Sequence, residues 1–429
     1  MTGRVASAGE RASPLRFRGN DHRCPKTYWE TTQRAATPEA TLSRIQPLLR
    51  PAGITRCADI TGLDRLGIPV TVAVRPNSRL LVGSTGKGTS LVHAQVSGLM
   101  EALEIHHAEY AEDADLKLVR ASYAELAAGG ADLVPPALLP VARDAAFDVD
   151  WELSWAWGFD LVRQAETPVP FLFLHLARQF LPAVDANEHR AKFMTGSNGL
   201  ASGNNLLEAI AAALYEVIER DAITVWTAAE PRGRRPPSVD LDRVDSPAVA
   251  ELVERCRRAA FGLHVFDWTT DIGVPTYTAL LIETPGHGFD ISTGGYGTHL
   301  DPDIAMIRAI TEAAQSRAVG IAGSRDDFFT AERTRPRPRR MPPPGPPAPE
   351  RASAATDSFE GDLRVILDRL AACGLHRVVV TDLKRPDFDL DVVKVWVPGL
   401  EEYVGSPWYR SGERAQDPLR HTDPERTVP

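Results

Sequence analysis

The most constraining feature of this sequence is one long helix that carries carboxylates among apolar side chains. In residues 199–221, apolar positions recur every three or four residues after a segment rich in asparagine and glycine, which predicts an amphipathic helix. At about 100° per residue, Glu216 lies about 80° and Glu219 about 20° around the helix axis from Glu208. The three carboxylates therefore share one side of the helix, and Arg220 borders that side.

A second acidic helix strengthens the case for a bound metal. It is predicted over residues 91–110 and carries Ser97, Glu101 and Glu104 at spacings of four and three, hence on one face. Two carboxylates about 5 Å apart repel by roughly 3 kcal/mol at an effective dielectric constant near 20. A partly buried cluster must therefore take up protons, pair with cations or bind a metal. Oxygen ligands favour magnesium, whereas any one glutamate alone is better explained as part of a solvated acidic face.

Composition narrows the class of protein. A chain of 429 residues with 43% hydrophobic content can bury the core of one large or two medium domains. The net charge of −9, with lysine and arginine scattered along the chain, predicts no nucleic-acid partner. The four cysteines form no Cys-x-x-Cys pair and indicate neither a zinc ribbon nor a disulfide framework. No signal peptide and no run of roughly 18 apolar residues is present, so we expect a cytoplasmic protein without a membrane partner.

Periodicity and turn residues predict a mixed α and β organisation. Pro38 begins a short helix that Pro47 should end or kink. Longer helices are expected over residues 91–110, 302–322 and 362–373. Strands are expected over residues 70–74, 79–83, 171–176, 277–283, 377–382 and 392–397. The proline- and arginine-rich residues 333–349 predict an exposed, extended insert of polyproline type.

Three motifs invite other functional interpretations. Residues 83–89 superficially resemble a phosphate-binding P-loop, but the pattern lacks its first glycine and the hydroxyl residue after Lys87. A flexible turn with a solvated lysine is the alternative, although Lys87 could also neutralise phosphate at a helix N-terminus. Residues 294–299 predict a strand-to-helix connection rather than a dinucleotide loop. For His106 and His107, solvated or capping roles are favoured over metal binding, because adjacent residues face different sides of a helix.

Three blocks of the chain resemble the signature segments of YcaO-domain proteins. These blocks are residues 86–104, 199–221 and 312–317, and they occur in the family's order. The resemblance runs from about residue 26 to about residue 399. Further landmarks are residues 54–64, 75–79, 323–327 and 397–399. Together they are most similar to the branch that works beside a TfuA-type partner.

The resemblance implies a fold and a division of the chain. The expected fold class is α+β, a single large YcaO-like domain of mixed sheets and helices with an ATP site between the acidic helices. The expected segments are a polar N-terminal stretch, a catalytic core, a Pro/Arg-rich insert, a C-terminal part of the same domain and a polar tail. Their expected bounds are 1–25, 26–330, 331–358, 359–400 and 401–429.

The resemblance also implies a reaction. Members of the family use ATP and Mg²⁺ to phosphorylate a backbone amide oxygen of a peptide, which a nucleophile then replaces. In the TfuA-associated branch the product is a thioamide formed with sulfide, so the expected partners are a TfuA-like protein, a peptide or protein substrate and a sulfide donor. A homodimer is also expected, since symmetric dimers are the commonest oligomers. The alternatives are an azoline-forming cyclodehydratase and a non-catalytic YcaO-like scaffold or binding protein.

The family pattern assigns expected roles to individual residues. The expected magnesium ligands are Glu101, Glu104, Glu208, Glu216 and Glu219. The expected nucleotide-binding residues are Ser97, Asn204 and Lys87. The residues expected to stabilise the transferring phosphate are Arg220, Arg317 and Gln315. Two features depart from the pattern: Ile105 stands where many members have arginine, and the C-terminal tail lacks the proline-rich motif of many azoline-forming members, which weakens the cyclodehydratase alternative.

Overall fold

The computed structural model describes most of the chain. The described residues are 13–181, 186–283, 292–323, 345–402, 405–406, 408–423 and 426–427. Residues 1–12 of the predicted N-terminal stretch, residues 331–344 of the predicted insert and residues 324–327 of one family landmark lie outside this part. Of the insert, residues 345–350 are largely exposed.

The described residues contain helices and strands in mixed order. The helices are α1 Pro38–Leu49, α2 Leu91–Glu109, α3 Tyr123–Ala128, α4 Phe171–Leu174, α5 Ala186–Ala191, α6 Leu206–Ala229, α7 Pro247–Arg258, α8 Pro302–Ala322, α9 Phe359–Ala372, α10 Glu413–Gln416 and α11 Pro418–His421. The strands are β1 Leu15–Phe17, β2 Asn20–His22, β3 Tyr28–Trp29, β4 Gln33–Arg34, β5 Arg56–Asp59, β6 Val70–Val74, β7 Gly83–Lys87, β8 Val119–Ser122, β9 Glu152–Asp160, β10 Ala165–Pro170, β11 Leu200–Gly203, β12 Phe261–Asp267, β13 Thr276–Glu283, β14 Ser292–Thr298, β15 Val379–Asp382 and β16 Asp391–Trp396.

One six-stranded sheet and two three-stranded sheets form the framework. The large sheet has the order β10-β9-β15-β16-β11, with β8 also paired to β9, so β11 lies at its edge. The smaller sheets have the orders β5-β6-β7 and β12-β13-β14. Helix α2 packs on β7, and α8 packs on β14. This single domain of mixed elements confirms the expected α+β fold.

The core lies on both faces of the large sheet. On one face, Leu200 and Val392 join the apolar cluster that contains Leu103 of α2. On the other face, Val393 joins the cluster that contains Leu214 of α6. Alternate residues of a strand point to opposite faces, so the edge strand β11 runs between the two acidic helices. Across the described residues, no helix combines the length and apolarity that crossing a membrane would require.

Glycines let two helices lie directly on strands. A Cβ atom at Gly86 would lie 1.9 Å from the carbonyl oxygen of Ala94 in α2, and one at Gly295 would lie 2.2 Å from the backbone nitrogen of Ala313 in α8. No side chain fits in that space. Gly86 of β7 and Gly295 of β14 thus allow α2 and α8 to pack closely on these strands. The interpretation of residues 83–89 as a flexible turn is wrong.

Several local predictions need correction. The strand expected over residues 79–83 begins only at Gly83, and residues 171–176 contain the short helix α4 instead of a strand. All four residues of α4 are buried, and a short buried apolar run looks the same in a helix and a strand. Helix α1 continues past Pro47 to Leu49. His106 and His107 are buried rather than solvated, and both rings lie 5.1 Å from the ring of Phe388.

Candidate active site

Glu104 of α2 lies against the edge strand of the large sheet. Its Oε1 atom accepts hydrogen bonds from the backbone nitrogen of Ser202 at 2.9 Å and from the Ser202 hydroxyl at 2.7 Å. Burial raises the pKa of Glu104 to about 8, with the charges of Glu101 and Glu216 acting in the same direction. A nearby cation would stabilise the ionised form of a carboxyl group with this pKa.

Two carboxylates of α6 face the same region. Burial raises the pKa of Glu216 to about 7, although the cation of Arg220 opposes this, with Arg220 Nη2 lying 3.9 Å from Glu216 Oε1. Glu219 is 3% exposed, and burial together with the charge of Glu312 raises its pKa. The buried Oε2 atom of Glu219 has no hydrogen-bond partner among the described residues, so it is available as a ligand atom.

Glu312 of α8 completes this acidic cluster and was not among the predicted site residues. Its Oε2 atom lies 2.7 Å from Lys87 Nζ at the end of β7. Although burial acts to raise its pKa, the charges of Lys87 and Arg220 lower it. The charge of Arg308, one helical turn before Glu312, opposes the rise in the pKa values of Glu216 and Glu219. The spacing of four between Arg308 and Glu312 was the available signal that the charge of Arg308 acts on Glu312.

Strand β7 carries Thr85, which connects two of the predicted site residues. The backbone nitrogen of Thr85 donates to Glu101 Oε2 at 3.2 Å. Gln315 Nε2 donates to the Thr85 carbonyl oxygen at 2.8 Å and to its hydroxyl at 2.7 Å. Glu101 of α2 and Gln315 of α8 therefore both bond to one residue of β7.

Glu208 and Asn204 lie at the other end of the site, where α6 begins. The Asn204 side chain donates to Glu208 Oε1 at 3.2 Å, and the backbone nitrogen of Ala35 donates to Glu208 Oε2 at 3.1 Å. Arg34 Nη1 lies 3.6 Å from Glu208 Oε1. Eight residues of helix, about 12 Å, separate Glu208 from Glu216. The site is therefore elongated, with the acidic cluster at one end and the start of α6 at the other.

Arg317 lies apart from the acidic cluster. Its Nε atom is 2.8 Å from Asp64 Oδ2 and its Nη2 atom is 3.2 Å from Glu283 Oε2. On α8, Arg317 is about 140° around the axis from Glu312, whereas Gln315 is about 60° away. The structure thus groups Gln315 with Glu312 and places Arg317 in buried ion pairs. Ser97 is half-buried on the helix that carries Glu101 and Glu104.

The donor set of the acidic cluster fits magnesium. Among the residues that the structure describes, no group of three or more His, Cys, Asp or Glu side chains is already close enough to hold a metal ion. However, Glu104, Glu216 and Glu219 all have raised pKa values, and positive charge between them would favour their ionised forms. Carboxylate oxygens without sulfur or imidazole are the ligands that magnesium prefers, and magnesium usually keeps several waters.

Comparison with known proteins identifies the family of this chain. A family model described as "YcaO cyclodehydratase, ATP- and Mg²⁺-binding" matches residues 85–401. The chain is 34% identical over 417 residues to an uncharacterized protein in the tfuA 3′ region of Rhizobium leguminosarum bv. trifolii, covering 90% of this chain and 93% of the relative. It is 36% identical over 400 residues to an uncharacterized protein of Methanothermobacter thermautotrophicus, covering 90% of this chain and 99% of the relative.

Solved structures show the same fold. The chain resembles YcaO from Methanopyrus kandleri bound with AMPPCP and Mg²⁺, with a TM-score of 0.70, 26% identity and coverage of 91% of this chain and 98% of that one. It also resembles a heterocyclase in complex with substrate and cofactor, with a TM-score of 0.71, 24% identity and 91% coverage of this chain. It spans 54% of that heterocyclase chain. The chain therefore belongs to the YcaO family, and the family's ATP and Mg²⁺ confirm the expected cofactors.

Proposed function

We propose that this protein phosphorylates a backbone amide oxygen of a peptide with ATP and Mg²⁺, and that hydrosulfide then replaces the phosphate to give a thioamide. The observation that carries the proposal is the acidic cluster of Glu104, Glu216, Glu219 and Glu312, which three helices bring together beside Lys87. The relative in a tfuA 3′ region supports the thioamide product and a TfuA-like partner for this chain.

The two ends of the site suit the two ends of ATP. We assign Glu101, Glu104, Glu216 and Glu219 to magnesium, because their oxygens face one region and because the raised pKa values of Glu104, Glu216 and Glu219 favour an added cation. We assign Glu208 and Asn204 at the start of α6, together with Ser97 of α2, to the rest of the nucleotide. Bound Mg²⁺ supplies positive charge next to the phosphates.

Cations of this chain would act on the γ-phosphate. Lys87 reaches the acidic cluster from β7, and Arg220 borders it from α6, so both can neutralise charge on the transferring group. Lys87 is paired with Glu312 at 2.7 Å, and its contact with phosphate would weaken that pair. Arg317 was predicted to act here too, but its pairs with Asp64 and Glu283 favour a role in holding α8.

The reaction balances without any further reagent. The amide oxygen forms a bond to the γ-phosphorus, and the bond to ADP breaks with its electron pair remaining on ADP. An amide oxygen is a poor nucleophile, so most of the rate gain would come from alignment and charge neutralisation. Hydrosulfide then adds to the amide carbon, the C–O bond breaks with its electron pair on phosphate, and the S–H proton leaves with the phosphate.

Mass spectrometry of co-expressed peptides tests the product. The protein would be expressed with a TfuA-type partner and with peptides encoded beside its gene. A mass gain matching sulfur-for-oxygen exchange, lost in Glu219→Gln and kept in Glu251→Gln, is the expected result. Glu251 is a suitable control because its side chain is 64% exposed and pairs with Arg255 on the surface of α7. Loss of water from the peptide would contradict the thioamide and support azoline formation.

Calorimetry tests the nucleotide site without the substrate. Purified protein titrated with ATP should bind in a Mg²⁺-dependent manner, and Glu219→Gln should weaken binding at least tenfold. The Glu251→Gln control should bind as the unchanged protein does. Absence of Mg²⁺-dependent binding, both alone and with a TfuA-type protein present, would contradict the proposal and favour a non-catalytic scaffold.

A further inference from the structure

Lys394 is a buried cation beside the proposed active site. It lies on β16 opposite Leu200 of the edge strand β11, on the sheet face that also carries Ser202. Ser202 in turn holds Glu104. The ammonium group therefore lies on the same side of the sheet as one of the proposed magnesium ligands.

The surroundings of Lys394 leave its charge poorly compensated. The residue is 2% exposed. Its Nζ donates to the Gly196 carbonyl oxygen and lies 4.8 Å from the centre of the Phe173 ring. Among the described residues it has no ion pair, and an ammonium group can donate three hydrogen bonds. Burial lowers its pKa to about 8, although the charges of Glu402 and Glu216 oppose this. A buried charge with one acceptor is costly, and an anion would offset that cost.

A cavity with cationic side chains is lined by chain neighbours of the two groups that contact Lys394. Its volume is about 420 Å³. Leu172 and Thr195 line it, and the next residue after each, Phe173 and Gly196, is one of the two groups in contact with Lys394. The remaining lining includes three side chains that can carry positive charge, Arg178, His189 and Lys192. Lys192 is paired with Asp144 at 2.6 Å, and Glu188 of the lining is committed to the backbone nitrogen of Ser154.

The acidic cluster explains why an anionic nucleophile would need a separate binding site. Glu104, Glu216 and Glu219 attract metal and repel any anionic nucleophile that approaches from their side. A cavity with cationic side chains, lined by the chain neighbours of both groups that contact the buried ammonium, offers an anion a second approach. The ring of Phe173, which contacts the ammonium group, lies 5.7 Å from that of Trp396, so the surroundings of the ammonium are partly aromatic. Such surroundings suit a small, weakly hydrated monovalent anion better than a carboxylate.

We propose that Lys394 binds hydrosulfide, the nucleophile of the proposed thioamide reaction, and that the cavity lined by Leu172, Thr195 and the cationic side chains is its entrance. This inference rests on the proposed function. Held at Lys394, hydrosulfide uses a sulfur lone pair to form the C–S bond to the phosphorylated amide carbon. The C–O electron pair and the S–H proton leave with phosphate, and no oxidant or reductant is consumed.

Bromide soaking tests the anion site without ATP or peptide. Crystals of the full chain would be soaked in sodium bromide, because bromide resembles hydrosulfide in charge and size and scatters anomalously. We expect an anomalous peak within hydrogen-bond distance of Lys394 Nζ that a sodium hydrosulfide soak removes. The peak should be lost in Lys394→Met and kept in Lys384→Met. Lys384 is a matched control, since its side chain is 40% exposed and pairs with Asp389 and Asp391.

The outcomes separate this inference from the proposed function. No peak at Lys394, a peak that hydrosulfide does not displace, or a peak that persists in Lys394→Met would each overturn the inference. If Lys394→Met fails to fold, the soaks of the unchanged protein still decide. Thioamide formation without an anion at Lys394 would overturn this inference alone. A displaceable anion at Lys394 with no thioamide in any co-expressed peptide would overturn both the proposed function and the inference.

Discussion

Replacing Glu104 by glutamine should stabilise the metal-free protein at high pH. Burial raises the pKa of Glu104 from 4.5 to about 8, so the folded state holds a proton that the unfolded state has lost. The stability contributed at low pH is therefore lost as the pH rises from about 4.5 towards about 8. One pKa unit is about 1.4 kcal/mol, which sets a ceiling of about 5 kcal/mol. Because Glu104 keeps some contact with solvent, which screens its charge, we expect about 2 kcal/mol.

The Glu104→Gln variant keeps the local hydrogen bonds. The amide oxygen of glutamine can still accept from the backbone nitrogen and hydroxyl of Ser202, as Glu104 Oε1 does. Urea denaturation in EDTA should give nearly equal free energies of unfolding at pH 4 and an advantage of about 2 kcal/mol for the variant at pH 8. Glu251→Gln is the control and should show no such difference. A variant that is equally or less stable than the unchanged protein at pH 8 would refute the reasoning.

Three further perturbations test the ion pairs and the cluster. Lys26→Met should cost about 3–5 kcal/mol in urea denaturation, because it leaves Asp362, now 2.6 Å from Lys26 Nζ, buried and unpaired. Arg317→Ala should likewise lower the free energy of unfolding by about 3 kcal/mol, since Asp64 and Glu283 each lose an ion-pair partner. Unchanged stability together with a loss of ATP binding would instead support a role of Arg317 in stabilising the transferring phosphate. The affinity for Mg²⁺ in the presence of ATP, measured by calorimetry, should rise at least tenfold from pH 6 to pH 8. Glu104 and Glu216, with pKa values of about 8 and about 7, must release protons before they bind the metal. An affinity that does not change with pH would contradict the metal assignment.

Elements with strong end signals could be predicted from the sequence. Strand β6 matches its predicted bounds, and so does α8, which begins with Asp301 as its capping residue and Pro302 in its first turn and ends before Gly323 at a φ of 59°. These signals act within a few residues and do not depend on the rest of the fold. The segment of residues 171–176 carries no such signal, so its conformation depends on the core around it.

For the candidate site too, local spacing predicted part of the arrangement, whereas contacts between distant parts of the chain could not be predicted. Helical spacing was enough to put Glu216 and Glu219 on one side of α6. It could not show that Lys87 meets Glu312, since 225 residues separate them along the chain and only the packing of α8 beside β7 joins them. Helix geometry already indicated that Arg317 does not act beside Glu312, because the two residues lie on different sides of α8.

The electrostatics of the acidic cluster suggest an order for assembly of the site. Lys87 compensates Glu312, but Glu104, Glu216 and Glu219 keep raised pKa values, so the chain's own cations do not neutralise all four carboxylates. If Lys87 moves to the γ-phosphate, Glu312 loses its partner at the same time as phosphate brings further negative charge. Both changes add to the demand for a cation in the cluster. Nucleotide and Mg²⁺ should therefore bind with positive cooperativity, each increasing the affinity for the other by the same factor.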